Sequence, residues 1–114
     1  MPEYEILYYI SEHKRNVIKE FLESLSLKQK EKVFRVFTHI QEYGLRKEIH
    51  QLKKITKTSL WELRILGKDN IRLLCVSLQN KRVLILHGFL KKSQKLPLHE
   101  CNVAQKRLEQ YLDN

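Results

Sequence analysis

At 114 residues, with 42% apolar and 31% charged side chains, the chain can bury one core without disulfide or metal staples and is too ordinary in composition for a disordered polypeptide. Its 22 Lys and Arg against 13 Asp and Glu give a net charge of +9, which favours a polyanionic partner. No apolar run reaches the length of a membrane span, and Glu3 and Glu5 stand where a secretory leader would carry bases, so a cytoplasmic protein without a membrane partner is expected.

Tyr4–Ile10 is rich in aromatic and β-branched residues and predicts a first strand. Ser11 is placed to cap a helix running to about Ser24, with Val17, Ile18, Phe21, Leu22 and Leu25 as its apolar stripe. Ser26 followed by Gln29 reads as a capping box for a second helix, which Gly44 ends. Val33, Phe34, Phe37 and Ile40 form its stripe, and the spacing assigns both phenylalanines to the core. So short a joint between two amphipathic helices predicts a hairpin packed on a sheet.

Arg46–Ser59 reads as an irregular or weakly extended approach, with Ile49, Leu52 and Ile55 inward and Lys53, Lys54 and Lys57 outward. Leu60–Leu66 alternates as a strand, with Leu60, Glu62, Arg64 and Leu66 on one face. Gly67–Asn70 is a turn, Ile71–Leu78 a nearly continuous apolar central strand, Gln79–Lys81 a second turn, and Arg82–Phe89 the next strand. Pro97 opens a last helix that turns Ala104, Leu108 and either Tyr111 or Leu112 inward. The expectation is one α+β domain over residues 1–114: strand, helix hairpin, antiparallel meander, terminal helix.

The charge is unevenly distributed. Residues 1–45 hold seven bases and seven acids, whereas residues 46–99 hold thirteen bases and three acids, net +10. Between Asp69 and Glu100 there is no acid at all. A segment of this kind attracts phosphate backbones and releases their counterions.

Within it, Arg64, Arg72, Lys91 and Lys92 are the candidate catalytic cations. RNA can be cut by its own 2′-hydroxyl when cations steady the phosphate and suitable groups move the protons. Guanidinium suits the phosphate oxygens, and lysines add point charge. His87 is the sole histidine between Leu60 and Leu96 and a candidate proton shuttle, with a packed structural role as the alternative. Glu62 is either a base or the ion-pair partner of Arg64. Whether Arg64 and Arg72 share a face depends on strand register, which the sequence leaves open. Lys53, Lys54, Lys57, Arg82 and Lys95 are candidate RNA or ribosome contacts. Cys75, Cys101, His87 and His99 match no zinc-ligand spacing, and three glycines form no phosphate loop, so no metal or cofactor is expected.

The run Leu60-Trp61-Glu62-Leu63-Arg64-Ile65, then Ile71-Arg72, then His87-Gly88-Phe89-Leu90-Lys91-Lys92-Ser93-Gln94-Lys95-Leu96-Pro97, then Ala104 and Arg107, resembles the HigB-like branch of the RelE/ParE toxin superfamily. The resemblance covers essentially the whole chain and departs at Leu90 and Leu96. It implies a RelE-like toxin fold and metal-independent cleavage of messenger RNA in the ribosomal A site. It also implies a cognate helix-turn-helix antitoxin that, with the toxin, binds operator DNA. Residue by residue, it points to Arg64, Arg72, Lys91 and Lys92 around the scissile phosphate or ribosomal RNA, and less directly to His87. The competing expectations are a non-enzymatic inhibitor of DNA gyrase, which the same superfamily contains, and a basic RNA- or DNA-binding module.

Overall fold

The computed structural model describes residues 3–68, 70–92, 95 and 97–113. In chain order the elements are β1 (Glu5–Tyr8), α1 (Val17–Glu23), α2 (Leu27–Tyr43), β2 (Leu52–Lys54), β3 (Trp61–Ile65), β4 (Ile71–Leu78), β5 (Arg82–Leu90) and α3 (Leu98–Asp113). The five strands form one sheet in the order β1-β5-β4-β3-β2. β1 lies parallel to β5, and the other neighbours are antiparallel. This is the expected α+β architecture and is compatible with a RelE-like fold.

Six of the eight β4 residues are buried, as befits a strand covered on both faces at the centre of the sheet. α1 and α2 cover one face. There Gly88 sits beneath Phe21, and a Cβ at that position would lie 2.4 Å from the Phe21 ring and 2.8 Å from Leu73. Tyr8 meets Phe37 of α2 on the same side. α3 crosses the opposite face, where Tyr9 donates a hydrogen bond to Gln110 at 2.6 Å and Arg107 lies over the Tyr9 ring.

Local signals explain most element ends. Ser26 and Gln29 form the expected capping box, and Gly44 closes α2 at φ 75°, with its N–H on the Ile40 carbonyl. Only a glycine fits there, because a Cβ would meet the Tyr4 ring at 2.7 Å and the backbone is left-handed. Pro97 precedes α3 and its carbonyl accepts from the Glu100 and Cys101 N–H groups. Asn80 and Lys81 both adopt positive φ in the β4–β5 turn. The β3–β4 turn includes Asp69, which lies outside the described residues, as do Ser93, Gln94 and Leu96 in the segment between β5 and α3.

Two expectations need correction, and one alternative is resolved. α1 starts at Val17, capped by Asn16, whose side chain accepts from the Lys19 N–H; Ser11 instead closes a turn with Arg15. The left-handed Lys14 in that turn prevents the helix from starting earlier. Phe34 is 44% exposed, packed edge-on against the buried Phe37, while Val36 takes the core position. α2 buries Val33, Val36, Phe37 and Ile40, a stripe turned one position away from Phe34. Near the C-terminus, Tyr111 packs against the core and Leu112 is exposed.

Candidate functional site

The β3–β4 register pairs Arg64 with Arg72 directly, so both side chains leave the sheet on the same face. Five positions, 66–70, separate the two strands, and an odd loop length is what makes paired residue numbers sum to an even value. The β4–β5 ladder then pairs Arg72 with Phe89 and Leu74 with His87. Glu62, Arg64, Arg72, His87 and Phe89 therefore share the face on which α3 lies.

A bulge between Leu74 and Cys75 makes this possible. Cys75 pairs with Ile85 and Leu74 with His87, which leaves Leu86 as the extra residue. Its carbonyl accepts from Arg107 Nη1 at 2.8 Å, and the same Nη1 lies 3.3 Å from His87 Nδ1. His87 Nε2 is 2.8 Å from Glu100 Oε1, and the imidazole stacks on Phe89 with 5.4 Å between centroids. An arginine N–H at Nδ1 and a carboxylate at Nε2 fit the neutral tautomer protonated on Nε2. Burial lowers the His87 pKa; the Glu100 hydrogen bond opposes this, and the Arg107 charge adds to it. His87 is thus held between β5 and α3 with both ring nitrogens engaged. Glu100, the residue that fixes it, was not legible as a site residue because it belongs to another element.

Arg72 and Glu62 are 6% and 5% exposed, and Arg72 Nε lies 3.3 Å from Glu62 Oε2. Glu62 is therefore the partner of Arg72 and not of Arg64. The pair is close but poorly aligned, because neither of these two atoms makes a hydrogen bond; Arg72 Nη1 donates to the Ile71 carbonyl at 3.0 Å. Arg64 is half-buried, its N–H bonded to the Gln51 carbonyl, and its Nε is buried without a hydrogen-bond partner. Arg72 Nε and Glu62 Oε2 still face each other as an ion pair, so Arg64 Nε is the one of these three buried atoms with no facing partner.

Lys91 is half-buried with its N–H on the Asn70 carbonyl, and Lys92 is exposed, so both stand at the end of β5 beside the start of β4. Lys53 pairs in register with Glu62 on the edge strand, and Lys54 and Lys57 lie exposed next to it. Lys54 donates to the Thr58 carbonyl. Arg82 begins β5, eight residues and roughly 26 Å from the Leu90 end, so it is not brought to the cluster. Lys95 is exposed and makes a contact of its own. The cysteines are poor nucleophiles: burial pushes the Cys75 thiol up to about 12, and burial, Glu62 and Glu100 raise that of Cys101. Among the described residues, no helix is long and apolar enough to cross a membrane.

A mixed sheet with helices on both faces and a cation-rich patch beside its C-terminal helix define a small α+β protein compatible with a RelE-like fold. Residues 20–109 match the family described as phage-derived protein Gp49-like (DUF891), and the chain belongs to that family, which is related to the RelE-type toxins. No curated protein matches the chain.

Proposed function

We propose that the protein is the toxin of a type II toxin–antitoxin module, of HigB-like type, and that it cleaves messenger RNA in the ribosomal A site. The observation that supports this most is the direct opposition of Arg64 and Arg72. Like charges at paired strand positions cost stability, and an anion held by Arg64, the more accessible of the two, turns that cost into binding.

In the proposed reaction the RNA 2′-oxygen attacks the adjacent phosphorus while the P–O5′ bond breaks. A cyclic 2′,3′-phosphate forms, the 2′-hydroxyl proton passes to a base, and the departing O5′ takes up a proton. Arg64, the more accessible arginine, holds the non-bridging oxygens. Arg72, fixed by Glu62, forms the wall behind it. Lys91 and Lys92 supply positive charge as it builds on the phosphate, and N–H donors towards O5′. His87, while α3 is docked, fastens β5 to α3 instead of carrying a proton. Lys53, Lys54, Lys57 and Lys95 extend the field that draws in RNA, with Arg82 remote from the reacting phosphate.

A cytoplasmic helix-turn-helix antitoxin with an acidic segment is the proposed partner, covering the basic face and joining the toxin on operator DNA. Primer extension on a translated message after a pulse of expression tests the reading. Discrete breaks that vanish with Arg64→Ala are expected. Intact messages accompanied by DNA damage would favour gyrase poisoning, and intact messages with salt-sensitive RNA binding would reduce the protein to a binding module.

A further inference from the structure

Two clefts run along one side of α2 and meet at His50 and Gln51, which line both. The first, about 300 Å³, is bounded by Lys32 and Arg35 of α2 and by Arg64 of β3. The second, about 470 Å³, is bounded by His39 and Tyr43 of α2 and by Arg46 and Glu48. Lys28, Lys32, Arg35 and His39 recur at four, three and four residues, which puts them on one stripe of the helix. Among the described residues Glu48 is the only acid that lines either cleft, and it is 3.5 Å from Arg46. The result is a groove with cations along its length, an exposed aromatic ring towards one end (Tyr43 is 53% exposed), and Arg64 at the other. From Lys32 to Tyr43 it follows about 16 Å of helix.

We propose that this groove is a second RNA contact, which holds the phosphodiester backbone of a single-stranded stretch leading away from Arg64, with Tyr43 as a stacking platform. Cations that track a backbone and end on a flat ring are what sequence-tolerant binding of single strands requires. Arg64 lines the first cleft beside Gln51 at the margin of the sheet. Its side chain leaves the sheet with Arg72 on the α3 face, so a strand held in the groove passes round that margin to reach the candidate reaction centre. The inference rests on the nuclease reading for its RNA class, and either the cleaved strand or a ribosomal RNA segment supplies the same chemistry.

The test measures binding of the full chain to a short fluorescent single-stranded RNA whose 2′-hydroxyls are methylated, so that cutting cannot interfere, and to programmed ribosomes. Arg35→Ala is expected to weaken binding several-fold and to lower the slope of log K against log salt by about 0.7. Tyr43→Ala is expected to weaken it about tenfold, while Tyr43→Phe retains it. Both positions are exposed, and thermal melting checks that the fold is intact. Loss on both targets assigns the groove to the RNA strand itself, and loss on ribosomes alone assigns it to ribosomal RNA. Unchanged affinity and salt slope on both would overturn the groove, as would a loss confined to an acidic antitoxin peptide. A wild-type chain that binds the methylated RNA through Arg35 and Tyr43 yet cuts no message would sink the nuclease reading alone.

Discussion

Glu62 pairs with Arg72 on the neighbouring strand and not with Arg64, two residues along on its own. The buried arginine thereby has a counter-charge, while Arg64, directly opposite it, has a buried Nε without a hydrogen-bond partner. Two residues of the same type at paired positions are given different electrostatic surroundings by one carboxylate.

This division predicts unequal effects of two similar substitutions. Arg72→Ala strands a buried carboxylate and should cost about 3–5 kcal/mol in denaturant unfolding. Adding Glu62→Leu should return much of that loss. A double-mutant cycle in which the two changes simply add would show that the pair is not coupled in the folded chain.

Arg64→Ala should leave stability unchanged or raise it by roughly 0.2–1 kcal/mol, because it removes a like charge from across the ladder. Message cleavage should nevertheless fall by about 10²–10³-fold. Loss of activity accompanied by unfolding would move Arg64 from the chemistry to the scaffold.

His87 makes stability depend on pH in a definite direction. Burial, only partly opposed by the Glu100 hydrogen bond, holds its folded pKa below 6.5. As pH falls through about 6.5 the unfolded chain takes up a proton that the folded chain resists. The contribution is therefore complete above that value and is lost as pH drops through the lower folded pKa. Melting temperatures of wild type and His87→Gln, measured from about pH 8 to pH 5, should show the steeper decline in wild type. Parallel curves would mean that His87 titrates alike in both states.

Gly88→Ala introduces a methyl group 2.4 Å from the Phe21 ring. A cost of about 1–3 kcal/mol is expected in chemical denaturation. Phe21→Leu, which shortens the opposing ring, should recover part of it. No recovery would place the strain at Leu73, 2.8 Å away on the paired strand.

Much of the fold was legible because local chemistry and periodicity agreed: the Ser26–Gln29 box, Gly44, the apolar β4 and Pro97 all stand where their residue types suggest. Phe34 shows the limit, since a three-to-four-residue spacing says which positions share a stripe but not how wide a stripe the sheet can cover. Arg64 and Arg72 were legible as cations but not as neighbours, because register follows from the loop length between defined strand ends. His87 was visible without its Glu100 and Arg107 partners, which come from another element. The α2 stripe was hidden for a different reason: residues 1–45 are neutral in sum, and only the turn of the helix separates Lys32 and Arg35 from the neighbouring Glu31 and Glu42.

The extra residue at Leu86 amounts to a change of phase within one strand. Before it, even-numbered β5 residues face α3; after it, odd-numbered ones do, so His87 and Phe89 join Arg72 while Gly88 admits Phe21. A chain lacking Leu86 would keep both half-ladders paired as they are, because the surplus position alone has gone. It would also leave Arg107 without its 2.8 Å carbonyl acceptor, so that small deletion should loosen the terminal helix while sparing the sheet.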